Sequence, residues 1–257
     1  ENKMNMKLVL ASPCLAMLTA WGGGSTGNTS IETLWEAPRG TGAGLVRATT
    51  DGANSVALVS NVNDAGQYKT RDVVEVISET NNFDGSYTGE VVLRDSDGNI
   101  ENALGRFYGT ANFYIISDGE DMKIVAGGDE ASAMPIGTYR YSGYAETIYV
   151  YDSSEYNETG SFVMDVQFAS KSAELNATAS ESQYVNNNLR INNAGELSGE
   201  SGTFIVYASD GVTELERRTI GFDGTFHGSG ATHVSGIGVG GSTTNDDLSV
   251  VGIVGKR

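Results

Sequence analysis

The chain has 257 residues, with 33 acidic against 16 basic side chains and a formal charge of −17. Its 39% hydrophobic content is enough to bury a core in one large or two small domains. So negative a surface repels nucleic acid and anionic headgroups, and the single cysteine, Cys14, has no disulfide partner in the chain.

Residues 1–20 read as a signal peptide. Lys3 and Lys7 supply a positive start, and residues 8–20 form an apolar run. At about 13 residues it is too short to span a bilayer as a helix. Residues 21–30, beginning Trp21-Gly22-Gly23-Gly24-Ser25, read as a glycine-serine linker. Leu18-Thr19-Ala20 before such a tether has the form of a lipoprotein cut site, where a cysteine would carry the lipid. Trp21 stands in that place, so cleavage after Ala20 and release without lipid are expected. A retained leader, packed on a neighbour or left in the membrane, is the other outcome. No later segment reaches membrane-spanning length, so no membrane insertion of the mature part is expected.

Residues 31–133 read as a β-rich N-terminal domain. Asp-Gly pairs, which tolerate the positive φ of tight hairpins, stand at 51–52, 84–85, 97–98, 118–119, 210–211 and 223–224. Strand-like runs lie between the earlier pairs at 55–62, 72–78, 86–94, 105–116 and 122–126. The polar stretch 127–132, closed by Pro135, is the candidate boundary.

Residues 134–257 carry a second set of strands. Phe162, Met164, Val166 and Phe168 point one way, while Asp165 and Gln167 point the other. Tyrosine-rich runs at 138–144 and 147–151 precede it, and runs at 174–179, 188–191, 202–207, 219–226, 233–239 and 248–254 follow. About eight short strands with polar turns indicate a closed barrel. The expected fold is therefore all-β, a C-terminal eight-stranded antiparallel β-barrel preceded by a smaller β-rich N-terminal domain.

Five stretches of this half stand in a telling order: "GTYRYSGYA" (137–145), "GSFVMDVQFASKSAELNAT" (160–178), "NNAGELSGES" (192–201), "GFDGTFHGSGATHVSGIGVGG" (221–241) and "VVGIVGKR" at the end. Together they resemble the β-barrel domain of the transferrin-binding protein B family, bacterial surface lipoproteins. The family's leader and glycine-serine tether are similar too. Two departures stand out. The turn after the glycine-aromatic strand usually carries acidic residues, where this chain has Ala231-Thr232-His233, and Trp21 replaces the lipid-bearing cysteine. The resemblance covers residues 135–257; residues 30–133 match no family domain.

Little in the chain points to catalysis. There are two histidines, no nucleophile-elbow pattern, and no lysine in the glycine runs of the kind a phosphate loop uses. His227 and His233 fall on consecutive strands of one expected hairpin. Imidazole ligates haem iron and zinc, yet zinc needs further ligands, and two exposed polar residues near a turn fit as well. Asp95–Asn99 and Asn245–Asp247 have the oxygen ligands of calcium loops, although hairpin turns explain them with fewer assumptions. No metal site and no resident cofactor are assigned. Tyr139, Tyr141, Tyr144, Tyr149 and Tyr151 crowd one stretch. Tyrosine suits haem or siderophore pockets and recognition surfaces, and equally the packing of a barrel.

An eight-stranded barrel is filled by its own side chains or holds one small ligand. The turns and the N-terminal domain are then where a partner is met. The resemblance implies an exported, non-enzymatic binding protein for iron-related cargo: a host iron or haem protein, haem itself, or a small chelate. The alternative is a structural or adhesive extracellular protein that self-assembles through β-strand edges.

Overall fold

The computed structural model describes residues 43–50, 53–61, 71–82, 85–95, 98, 100–118, 121–241 and 248–257. The leader and linker, residues 1–30, lie outside the described residues, as does Asn245–Asp247. Among the described residues the chain is all-β, with no helix long and apolar enough to cross a membrane.

The first strands are β1 (Ala43–Thr50), β2 (Ala53–Asn61), β3 (Arg71–Asn81), β4 (Tyr87–Asp95), β5 (Ile100–Tyr108), β6 (Ala111–Asp118) and β7 (Asp121–Asp129). They form a 7-stranded antiparallel sheet ordered β1-β2-β7-β6-β5-β4-β3. Its local logic is that of hairpins. Gly85 (φ 79) and Gly98 (φ 90) take the left-handed conformations that Asp-Gly turns require. Sequence patterning foresees one strand over 105–116, whereas the chain reverses at Gly109-Thr110 and pairs Tyr108 with Ala111. Gly109 (φ 54) makes that turn without the aspartate that marks the others. β1, absent from the expected strands, adds itself to β2.

The second unit comprises β8 (Thr138–Tyr151), β9 (Ser154–Gln167), β10 (Ser172–Thr178), β11 (Ser182–Ile191), β12 (Glu196–Tyr207), β13 (Glu214–His227), β14 (His233–Gly240) and β15 (Ser249–Lys256). These close into a barrel in the order β10-β11-β12-β13-β14-β15-β8-β9. The eight-stranded barrel behind a smaller β unit is thus the observed fold.

Two further expectations are corrected. The runs 138–144 and 147–151 are one strand, because β8 pairs continuously with β9 on one side and with β15 on the other. Asp223-Gly224 is no turn. It lies inside β13, where Gly224 leaves the room taken by the side chains of Phe222 and Leu197.

Alternation sorts the barrel's two surfaces. Phe162, Met164 and Val166 of β9 point into the bore as expected, with Phe168 just past the strand end. Asp165 points out and meets the Arg140 guanidinium at 2.7 Å. Tyr184, Phe204, Phe222 and Phe226 join them inside, each excluded from solvent.

The sheet packs on the outside of this barrel. Tyr108, Ala111, Phe113, Ile124 and Ala126 of the sheet form one core with Tyr144, Ile148, Ile237, Leu248, Val250 and Val254 of the barrel. Hence β15 is buried on both faces, and its sequence reads as a continuous apolar run rather than an alternation.

Candidate functional site

The five tyrosines are distributed by the pleat of β8. Tyr141 and Tyr149 are buried among the bore side chains, with Tyr139 and Tyr151 packed against them, whereas Tyr144 faces the sheet. Tyr141 lies 5.3 Å from the Phe226 ring, and its hydroxyl donates to the Ala231 carbonyl. Tyr149 stacks on Tyr156 at 5.0 Å and sits 5.6 Å from Phe204. Tyr139 contacts Phe168, with the Arg257 guanidinium 4.0 Å above its ring. Eight residues of strand separate Tyr141 from Tyr149, roughly 26 Å at strand rise. One pocket lined by all five does not form.

Burial pushes the Tyr141, Tyr149 and Tyr184 hydroxyls well above the usual tyrosine range, so all three remain protonated and neutral.

His227 and His233 are brought together as register partners at the end of β13 and start of β14. They are not exposed turn residues. His227 is fully buried against β7, and its neighbour is half-buried against the Gly109-Thr110 turn. The Nδ1 of His227 lies 3.2 Å from the Asp129 carbonyl, and Nε2 lies 2.7 Å from the Ser235 hydroxyl. A carbonyl only accepts, so Nδ1 carries the proton and Ser235 donates to Nε2. With both nitrogens engaged, His227 has no lone pair to offer iron. His233 Nδ1 is shared between Thr110 Oγ1 at 3.1 Å and Thr232 Oγ1 at 3.0 Å. Among the described residues no group of three or more His, Cys, Asp or Glu is placed to hold a metal ion.

Sequence reading passed over a second buried polar group. Glu146, outward on β8, accepts from the Tyr144 hydroxyl, and Arg106 of β5 stacks 3.9 Å over the Tyr144 ring. Burial raises the Glu146 carboxyl above the usual range despite these donors and the nearby guanidinium. A lone acid inside a tyrosine-rich strand was its only sequence trace.

One end of the barrel presents ordered turns to solvent. At the β12–β13 turn the Asp210 carboxylate accepts from Val212 N, Thr213 N and Thr213 Oγ1 at 2.9, 2.8 and 2.6 Å. These hydrogen bonds lower its pKa to about 2. They hold out Val212, 80% exposed, beside Leu215, 44% exposed. At the β10–β11 turn Glu158 accepts from Ser180 Oγ, Glu181 N and Ser182 Oγ at 2.9, 3.1 and 2.6 Å. Asp152 (φ 49) and Ser153 (φ 58) make the β8–β9 turn with two left-handed residues. The end is acidic, preorganised and tipped with apolar side chains.

No family model and no curated protein matches the chain. Solved structures do. In fold the chain is similar to transferrin-binding protein B. A mutant of that vaccine antigen from Haemophilus parasuis Hp5 superposes at TM-score 0.55 with 12% identity, over 83% of this chain and 50% of that one. The isotype 1 transferrin-binding protein B of serogroup B Neisseria meningitidis superposes at TM-score 0.51 with 11% identity, over 88% of this chain and 69% of that one. This chain therefore spans half the length of the Haemophilus protein. Such coverage takes in more than the barrel, so the likeness extends into the N-terminal sheet that motif reading left unmatched. At these identities it is a likeness of fold.

Proposed function

We propose that this chain is an exported, non-enzymatic binding protein built on the plan of transferrin-binding protein B, and that it meets a protein partner carrying iron or haem at its exposed turns. The observation behind this reading is the filled bore. Tyr141, Tyr149, Tyr184, Phe204, Phe222 and Phe226 sit within it at 0–1% exposure, where haem or a chelate would have to lie. Partner contact then falls to the surface, and the acidic β12–β13 end offers Val212 and Leu215 on a hydrogen-bonded turn. The solved proteins of like fold are themselves named as binding transferrin.

The test sets immobilised full chain against iron-loaded transferrin and against haemoproteins, with a haem absorbance titration alongside. Saturable protein binding, weakened at least tenfold by Val212→Asp, together with an unshifted haem spectrum is the expected result. A stoichiometric haem complex with no protein binding overturns the reading in favour of a small-ligand carrier.

Self-assembly through sheet edges is the second reading, favoured by one feature. Edge strand β3 is interrupted by two register shifts and shows exposed Glu75 and Glu79, whereas edge strand β1 pairs with β2 in unbroken register. Bulges and charges protect an edge, and β1 has no bulge and a single charged residue, Arg47. Oligomers that grow with concentration in the absence of any ligand would put this reading first.

A further inference from the structure

The polar seam between sheet and barrel serves neither the bore nor the exposed turns. His227 stands at its centre on β13, bridging to Glu130 just past β7, with Asp129 O on one ring nitrogen and Ser235 on the other. Two further backbone bonds close the seam: Gly228 N to Asp129 O at 3.1 Å, and Asp129 N to Thr110 O at 3.0 Å. His233 adds its bond to Thr110 from the barrel side. Every one of these contacts except the Ser235 bond and the Asp129–Thr110 bond joins the barrel to the sheet or its trailing segment.

We propose that this seam is an acid-operated latch, in which protonation of His227 releases the N-terminal sheet from a barrel that stays closed. An imidazolium there would be a fully buried charge. His233 on β14 and Lys256 on β15 are like-signed when charged, and burial raises the carboxyl of Asp129 on β7 so that acid discharges it early. Glu130 engages the seam through the backbone bridge, and Asp223 lies four residues before His227 on β13. The barrel does not depend on the seam, since its own strands close it and its own aromatics fill it.

Burial lowers the His227 pKa to about 3, against an ordinary value near 6.5. Below pH 6.5 the released imidazole takes up a proton that the docked one refuses, so docking weakens progressively down to about pH 3. At pH 5 the released population rises about 30-fold relative to pH 8.

The experiment is amide exchange by NMR on the full chain between pH 8 and pH 4.5, corrected for intrinsic rates, with the signals of its two histidines followed in parallel. Residues 124–129 of β7 are expected to lose protection about 30-fold at pH 5, while residues 204–206 and 251–253 of the barrel keep theirs. His227→Asn places its side-chain amide where Nδ1 stands, so it can still donate to the Asp129 carbonyl but cannot titrate, and is expected to stay protected. Loss that persists in His227→Asn, loss shared by sheet and barrel, or no loss at pH 5 overturns the proposal. Should His227→Asn fail to fold, Ser235→Asp supplies the second arm. A carboxylate beside Nε2 pairs with the imidazolium and is expected to move release to lower pH, and an unmoved release overturns the latch.

Discussion

The ring of Phe113 on β6 lies over Gly252 of β15, in the space where a side chain at position 252 would begin. The sheet docks by placing an aromatic of one unit into the gap left by a glycine of the other. Gly252→Ala is expected to destabilise the protein by about 1–3 kcal/mol through overpacking. Phe113→Ala removes a ring that is 1% exposed and is expected to cost about 3–5 kcal/mol. In the Phe113→Ala background the glycine substitution should become nearly neutral. Urea unfolding of all four proteins of this cycle checks the coupling.

Arg218 joins three strands beneath the surface. Its guanidinium donates to Leu248 O at 2.9 Å, Ser249 Oγ at 2.9 Å, Val150 O at 2.7 Å and Glu216 at 2.5 Å. Removing it takes a donor from the Val150 and Leu248 carbonyls and the Ser249 hydroxyl, with Leu248 O keeping the Val150 N–H, so Arg218→Ala is expected to cost about 1–3 kcal/mol. Arg218→Lys should recover only part of this, because one ammonium cannot reproduce the fork. Thermal unfolding of the three proteins measures both.

Glu146 gives stability a pH dependence of its own. Its folded pKa is raised above the unfolded value, so the contribution of the protonated acid is fully present below about pH 4.5 and is lost as pH rises through the folded pKa. Glu146→Gln keeps an acceptor for the Tyr144 hydroxyl and abolishes the titration. The variant should melt higher than wild type at pH 8 and match it at pH 4, as read by calorimetry across that range. This runs opposite to the His227 effect, so the two are separable by single substitutions.

Asp210 acts in the other direction from Glu146. Its folded pKa lies below the unfolded value, so what it contributes is present above about pH 3.8 and is lost as pH falls toward about 2. Asp210→Ala removes the acceptor of three hydrogen bonds and should loosen residues 210–213 without altering the barrel. Backbone relaxation at those amides is the check, with partner affinity falling in step if Val212 must be held in place.

How much of this was legible in the chain differs from element to element. The inward set Phe162, Met164 and Val166 could be read directly, since a strand with one face buried writes its pleat into the sequence. Asp210-Gly211 marked its turn through local backbone chemistry, and Gly211 has φ 67. The same dipeptide misled at Asp223-Gly224, where the glycine serves packing. The Gly109-Thr110 turn went unseen because its residues announce no turn type. For the site, the tyrosines of β8 and the two histidines were picked out by residue type, but not their surroundings. Tyr144 faces the sheet because it is one residue out of phase with Tyr141 and Tyr149, and phase alone does not say which face is covered by what.

By itself the sequence determined the strands, most of the hairpins and the all-β class, since these rest on side-chain alternation and on backbone freedom within a few residues. Tertiary structure alone decided that the barrel fills its own bore, that the sheet lies against β8, β14 and β15, and that His227 ends buried on Asp129, 98 residues earlier. The reason is physical. Pleat and turn act between neighbours, whereas the environment of a side chain is set by whichever distant surface closes over it.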